Sequence, residues 1–248
     1  MKNLKVLIIV FLFFNCDDEN AVDCFKTSGA LIRQEFQVES FNKIKVNRDI
    51  ELILKQGETQ KIVVETGLNL IDEFSLEVLD NQLILTNDNT CNFVRDYGVS
   101  KIYVTSPNIK EIRSSTQYDI SSEGVLNYPS LTILSEDFND SESFTVGDFR
   151  LNINCQSFWV TFNSLSNCYI SGNTNTLNVS FFAGNSRFEG EGLIAQNVNI
   201  SHRSSNDIIV NPQQSIQGII RSTGNVISIN QPPSIDVEEL YKGRLIFK

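Results

Sequence analysis

The stretch LNVSFFAGNSRFEGEGLIAQNVNI, residues 177–200, decides the fold. Its two ends carry the same pattern, Leu177-x-Val179 and Val198-x-Ile200, spaced 21 residues apart. Apolar residues that alternate with polar ones predict β-strands with one buried face. The Gly and Asn residues between the two ends are typical of turns. The stretch therefore predicts one unit of a repeating all-β structure.

The same pattern recurs along the second half of the chain. One series comprises Leu131-x-Ile133, Leu151-x-Ile153, Leu177-x-Val179, Val198-x-Ile200 and either Gly218-x-Ile220 or Ile219-x-Arg221. A second series, half a repeat later, comprises Cys168-x-Ile170, Phe188 and Ile208-x-Val210. A period near 20 residues is typical of stacked coils, because one coil cannot bury its apolar face alone. We predict a right-handed parallel β-helix, a β-solenoid, with a β-sandwich of evenly spaced strands as the alternative.

The predicted register gives the outward face a distinct composition. Asn152, Asn178 and Asn199 each lie between two inward residues and should form a ladder of side-chain hydrogen bonds. Strands before residue 108 are less regular, with a hairpin around Asp80-Asn81 and one helical turn near residues 69–74. Residues 231–248 should form a C-terminal cap that covers the open end of the coil stack.

The N-terminus predicts export. Residues 1–16, MKNLKVLIIVFLFFNC, join a basic start to an apolar run that is too short to cross a bilayer as a finished helix. The run ends at Cys16, which resembles the lipidated cysteine of bacterial lipoproteins, although Asn15 replaces the usual small residue. An ordinary signal peptide with a chance cysteine is the alternative. We therefore predict a lipoprotein signal peptide at 1–15, a polar tether at 16–34 and one domain at 35–248.

Several segments resemble a known family. They include FNKIKVNRDIELILKQG (41–57), KIYVTSPNIKEIRSSTQYDI (101–120), RFEGEGLIAQNVN (187–199), RSTGNVISIN (221–230) and YKGRLIFK (241–248). Together they are similar to the bacterial "putative auto-transporter adhesin" family with a head GIN domain, a domain of unknown function. The resemblance covers nearly the whole chain after residue 35. It implies a right-handed parallel β-helix, a location in the cell envelope and a role in adhesion, and it supplies no catalytic residues.

The five cysteines are expected to have different roles, depending on where each lies in the chain. With Cys16 lipidated, Cys24, Cys91, Cys155 and Cys168 remain in an oxidising compartment. We predict a disulfide between Cys24, at the end of the tether, and Cys91, in a polar loop; the alternative leaves Cys24 free. Cys168 falls in an inward column and should behave as a small apolar residue. No CxxC spacing or histidine pair is present, so we predict no metal site.

Composition and motifs argue against several functions. The chain has 30 acidic and 20 basic residues, a net charge of −10, which disfavours nucleic acid as a partner. His202 is the only histidine, and no nucleophile motif accompanies it, so we predict a surface residue there. The acidic residues do not stack at the repeat period, which argues against a glycosidase pair. We predict no catalytic residues and no cofactor.

Aromatic residues concentrate in the middle coils and suggest a contact surface. Trp159 faces opposite to its neighbours Phe158 and Val160, and one of Phe181 and Phe182 must point outward. Exposed aromatic rings anchor protein or sugar partners. We predict a non-enzymatic, lipid-anchored protein of the outer membrane, facing the surface or the periplasm, that binds a glycan or protein on a cell surface. The alternatives are a carbohydrate-active enzyme and a structural protein that assembles through its coil ends.

Overall fold

The computed structural model describes residues 23–89, 91–96, 98, 100–138 and 140–248. Cys16 and the predicted signal peptide lie outside these residues. The described part is an all-β protein whose strands join one connected sheet, which confirms the predicted class. The seventeen strands of this part are β1 (Leu31–Phe36), β2 (Lys43–Val46), β3 (Glu51–Gln56), β4 (Lys61–Gly67), β5 (Phe74–Leu79), β6 (Gln82–Asn87), β7 (Lys101–Ser106), β8 (Glu111–Ser114), β9 (Ile120–Leu126), β10 (Ser130–Ser135), β11 (Phe149–Phe162), β12 (Asn167–Phe181), β13 (Arg187–His202), β14 (Ile208–Ile220), β15 (Val226–Ser228), β16 (Ser234–Glu239) and β17 (Leu245–Phe247).

The helical content of the described residues is small. Two short 3-10 helices, Asp23–Phe25 and Leu68–Glu73, occur there, and the second confirms the predicted helical turn. No helix within these residues is long and apolar enough to cross a membrane.

Two parallel ladders run through the molecule. The first joins β6, β2, β8 and β10 to the C-terminal halves of β11–β14 and then to β16. The second joins β7, β3 and β9 to the N-terminal halves of β11–β14 and then to β15 and β17. Strands β11–β14 are 13 to 16 residues long and belong to both ladders. The core therefore lies between the two ladders.

Inward columns explain why these strands stack. Ile133, Val160, Val179 and Ile200 follow one another in the first ladder, and all are buried. In the second ladder Cys168, Phe188 and Ile208 are fully buried neighbours, as their spacing predicts. Each column removes apolar area from water at about 25 cal/mol per Å². The alternation of apolar and polar residues thus sets which face of each strand is buried.

The strands before residue 127 mix parallel and antiparallel pairing. β1 pairs with β4, β4 with β7, and β5 with β6, all antiparallel. Asp80 and Asn81 join β5 to β6 with φ angles of 51° and 61°. Asn and Asp tolerate this left-handed region, which two-residue hairpin turns require. The predicted hairpin is confirmed at this turn.

Two predicted registers are wrong. Val198 and Ile200 lie beside Ile216 and Gly218. They do not lie beside the predicted unit Gly218-x-Ile220 or Ile219-x-Arg221, because irregularities in the pairing of β13 with β14 shorten this repeat.

The other error concerns β10 and β11. Leu131 lies beside Phe158, not Leu151, and Leu151 lies beside Ile170 in the second ladder. The cause is the loop between β10 and β11, which lengthens this repeat and shifts the pairing. Asn152 therefore pairs with Ser171 rather than lying in the column of Asn178 and Asn199.

Two predicted boundaries are also wrong. The tether predicted at 16–34 ends earlier, because β1 begins at Leu31 and pairs with β4. The predicted cap over 231–248 instead adds one in-register strand to each ladder, β16 beside β14 and β17 beside β15. Ile246 and Phe247 remain exposed in this last layer. Val237 and Leu245 pack against the core, so residues 231–248 cover the end of the stack in part, as one further layer of paired strands.

Candidate functional site

Of the three aromatic residues predicted to contact a ligand, two are exposed and one lies in the core. The side chain of Trp159 is 48% exposed and that of Phe182 is 46% exposed. Phe182 packs edge to face on the exposed Phe138, with 5.3 Å between ring centroids. Phe181 is fully buried, so its prediction as a ligand contact is wrong. It lies in the inward column between Phe162 and His202, and stacks on the Phe162 ring at 5.7 Å.

An open groove of about 470 Å³ crosses the outer face of β11–β14 and β16. Its floor consists of two outward columns. One runs from Trp159 through the side chains of the next three strands to β16, and comprises Trp159, Asn178, Asn199, Gln217 and Asp236. The other comprises Ser180, Ser201, Ile219 and Glu238. We call this surface the groove.

Amide side chains in the groove form a hydrogen-bonded ladder. Gln217 donates from Nε2 to Oδ1 of Asn199 over 2.7 Å, and Asn199 donates from Nδ2 to Oδ1 of Asn178 over 2.7 Å. Asn178 is only 7% exposed, yet its Nδ2 has no hydrogen-bond partner among the described residues. Both hydrogen bonds of the ladder run the same way, from Gln217 towards Asn178. The Nδ2 donor of Asn178, which lies beside Trp159, is therefore left without a partner.

Two carboxylates lie at the far end of the groove. Asp236 and Glu238 lie two residues apart on β16, so their side chains share one face of the strand. Both are exposed, and neither forms a salt bridge among the described residues. The sequence interpretation missed them and Gln217. The alternation in Ser234–Glu239 was the available signal, but only the pairing of β14 with β16 places these residues beside Asn199.

Asp119 and Asp148, two further acidic residues, are used in ion pairs. Arg150 donates to Asp119 at 2.7 Å and to Asp148 at 3.1 Å, and its guanidinium lies 4.1 Å from the Tyr169 ring centroid. Hydrogen bonding to Asp119 raises the pKa of Arg150. Both carboxylates are paired with the same arginine, so this cluster offers no free carboxylate pair. No group of His, Cys, Asp and Glu within the described residues could hold a metal ion.

His202 is a core residue. The predicted surface position is wrong, because the side chain is fully buried and lies 6.1 Å edge to face from the Phe181 ring. Burial lowers its pKa to about 4, and the nearby Asp207 carboxylate offsets this only in part. Neither ring nitrogen has a hydrogen-bond partner in the part of the chain that the structure describes. An imidazole so placed is closed off from solvent.

The cysteines are also unsuited to catalysis. Cys24 and Cys91 form a disulfide with their Cα atoms 4.4 Å apart, so the structure brings this predicted pair together. Cys155 and Cys168 are free and buried. Burial raises the pKa of both thiols, which keeps them in the unreactive protonated form.

The fold and the groove define a class of protein. An all-β scaffold with an open groove and an exposed aromatic residue at one end presents a candidate ligand-binding surface. The chain belongs to the family described as "Putative auto-transporter adhesin, head GIN domain", whose model matches residues 40–232. The chain's family thus indicates a cell-surface or envelope protein.

Solved structures share the fold. A putative adhesin from Bacteroides fragilis is 21% identical, with a TM-score of 0.79 over 90% of this chain and 99% of that chain. A putative adhesin from Parabacteroides merdae is 15% identical, with a TM-score of 0.62 over 89% and 97% of the two chains. A putative lipid binding protein from Parabacteroides distasonis is 15% identical, with a TM-score of 0.57 over 88% and 97%. No curated protein matches the sequence.

Proposed function

We propose that this chain is a non-enzymatic, lipid-anchored adhesion module of the cell envelope, and that it binds its partner in the groove. The observation that carries the proposal is the half-exposed Trp159 at one end of a wide polar groove. Aromatic side chains that remain exposed on a rigid sheet supply contact area at low entropic cost. The adhesin family to which the chain belongs supports the same role.

The anchor proposal rests on the N-terminal sequence. The short apolar run, Cys16 and the acidic residues that follow it support lipidation of Cys16 and residence in the outer membrane. The proposed organisation is a signal peptide at 1–15, a lipidated Cys16, and a binding domain that starts near Cys24. The disulfide supports this start, because it ties the N-terminal segment to the loop before β7.

The proposed fold is a right-handed parallel β-helix. Successive long strands pair in parallel with offsets near 20 residues, as in Leu177 with Val198. Connections between neighbouring parallel strands are right-handed in about 98% of cases, because the strand twist favours that hand. Two ladders that share the long strands β11–β14 also support coils stacked along one axis.

A carbohydrate-active enzyme is the second candidate, and one observation favours it. Asp236 and Glu238 share one strand face in the groove, and glycosidases use a pair of carboxyl groups about 5 to 10 Å apart. A general acid needs a pKa raised by burial, however, and both side chains are exposed to solvent. The double variant Asp236→Asn with Glu238→Gln tests this candidate. Hydrolysis of any glycan by the wild type that this variant loses would establish an enzyme.

The adhesion proposal is tested with cells that express the full chain. We expect Trp159→Ala to reduce attachment to a ligand-bearing cell surface by about tenfold, the effect of losing one aromatic contact. Phe144→Ala is the matched control, because Phe144 is a similarly exposed aromatic residue outside the groove. Equal attachment by the wild type and the Trp159 variant would refute the proposed site.

The anchor is tested separately by detergent-phase partitioning. We expect the wild-type chain to enter the detergent phase and Cys16→Ser to remain in the aqueous phase, because the variant has no thiol to carry lipid. The matched control is Cys155→Ser, which keeps Cys16. A Cys16→Ser protein that still partitions into detergent would contradict lipidation.

A further inference from the structure

The groove has features that select among classes of ligand. Its floor presents an amide and a hydroxyl group on each of β12 and β13, the Gln217 amide beside Ile219 on β14, and two carboxylates on β16. Rungs repeat every ~4.8 Å, so the five rungs from Trp159 to Asp236 extend over about 19 Å. A site of this length takes an extended ligand with several polar groups rather than a single small molecule.

Charge in the groove excludes anions. The described residues that line it include Asp236 and Glu238 but no lysine or arginine. A negatively charged ligand would meet like charge at one end and no compensating cation along the floor, which costs free energy. Trp159, Ile200 and Ile219 add apolar surface among the polar groups, so the groove suits a ligand that has both. A wholly apolar acyl chain would leave the amide groups without water or a partner.

The unpaired Asn178 donor points to a ligand acceptor. An amide N–H that is buried without a partner loses its hydrogen bond to water and gains none in return, which costs free energy. Because both hydrogen bonds of the ladder run towards Asn178, its Nδ2 group is the one left over. It lies on the rung next to Trp159. The Nδ2 atom is closed to solvent, so a ligand stacked on Trp159 satisfies this donor after a small rotation of the Asn178 side chain brings it to a ligand oxygen.

We propose that the groove binds an uncharged oligosaccharide, an inference that rests on the proposed adhesion function. The apolar C–H face of one sugar ring stacks on the Trp159 indole, and an oxygen of that sugar accepts a hydrogen bond from Asn178 Nδ2. Hydroxyl groups of the following sugars donate to the carboxylates of Asp236 and Glu238 and exchange hydrogen bonds with Ser180 and Ser201. A sugar suits this floor because each hydroxyl both donates and accepts.

The experiment measures binding of the full-length protein in detergent to an array of neutral glucose, galactose, mannose and N-acetylglucosamine oligomers. Sialylated and sulfated glycans, a basic peptide and phosphatidylcholine vesicles serve as the competing classes. We expect binding to at least one neutral oligomer. We expect Trp159→Ala to raise its Kd about tenfold, and Trp159→Phe to restore part of the affinity, because Phe keeps a smaller ring face.

A second pair of variants tests the Asn178 side chain, which carries the unpaired donor and also accepts the hydrogen bond from Asn199. Asn178→Ala should also raise the Kd about tenfold, the usual loss for one hydrogen bond in a binding site. Asn197→Ala is the matched control, since Asn197 is an outward amide on β13 that lies outside the groove and should leave the Kd unchanged. If Asn178→Ala does not fold, the two Trp159 variants still decide, because that side chain is half exposed.

The outcomes separate this inference from the adhesion proposal. Neutral oligomers that neither bind nor inhibit a Trp159-dependent attachment to cells would overturn the saccharide inference and leave the adhesion site standing. Binding only to anionic glycans, to the peptide or to the vesicles would overturn it as well. Attachment that does not depend on Trp159 would instead remove the proposed function itself.

Discussion

At the scale of single residues, burial decides what each polar side chain can do. His202 and Asn178 both lack hydrogen-bond partners at buried nitrogens within the described residues. Asn178 lines an open groove, so a ligand can complete its hydrogen bonding. His202 lies in the core column beside Phe181, where no ligand can reach it. A missing hydrogen-bond partner thus indicates ligand binding for Asn178 and pH-dependent stability for His202.

We predict that His202 makes the protein sensitive to acid. Its folded pKa is about 4 against an ordinary value of 6.5, so the unfolded chain binds the proton first as the pH falls. Stability is therefore complete above about pH 6.5 and declines down to about pH 4, by about 3 kcal/mol in all. His202→Leu should abolish this part of the pH dependence, which urea unfolding at pH 7 and pH 4.5 measures.

A matched control for acid sensitivity is Phe181→Leu, which alters the same column but leaves His202 to titrate. It should lower stability at both pH values and keep the decline. Equal loss of stability between pH 7 and 4.5 in the wild type and His202→Leu would show that other groups cause it.

At the scale of elements, the pairing register of the strands determines which of their alternating side chains lie side by side on one surface. Strands β11–β14 each present one face to the core and one to the groove, so neighbouring residues have opposite roles. Val198 is fully buried, whereas its neighbour Asn199 is an outward rung of the amide ladder. A shift of one residue would exchange the two faces along a whole strand.

The register predicts different costs for two neighbouring substitutions. Val198→Asp places an unpaired carboxylate in the core and should destabilise the fold by about 3–5 kcal/mol. Asn199→Ser loses two exposed side-chain hydrogen bonds and should cost about 1–2 kcal/mol. Chemical denaturation of both variants measures the difference. Equal midpoints would show that the strand has another register.

At the scale of the whole molecule, the N-terminal segment is held by contacts distant in sequence. The Cys24–Cys91 disulfide spans 67 residues, and the rings of Phe25 and Phe93 lie 5.7 Å apart beside it. The backbone N–H of Phe93 also donates to the carbonyl of Cys24 over 2.9 Å. The folded domain thus begins near Cys24, shortly after the N-terminal segment that is proposed to carry the lipid anchor.

We predict that this disulfide stabilises the fold by about 4 kcal/mol, the chain-entropy value for a loop of this length. The double variant Cys24→Ser with Cys91→Ser should lower the Tm under oxidising conditions. Reducing agent should lower the wild-type Tm to that of the variant, while Cys155→Ser, a buried free cysteine, should keep its response to reductant. A wild-type Tm that reductant does not change would contradict the prediction.

The amino-acid sequence by itself determined the all-β class, the Asp80-Asn81 hairpin and the inward column of Cys168, Phe188 and Ile208. These follow from local alternation and turn chemistry, which act within a few residues. Tertiary structure alone decided that Phe181 is buried, that Leu131 pairs with Phe158, and that Trp159 shares a groove with Asp236. The physical reason is that parallel register depends on loop lengths and on which strands pair. The long loop before β11 shifted the pairing of β11 with β10, while the later pairing of Cys168 with Phe188 kept the predicted spacing.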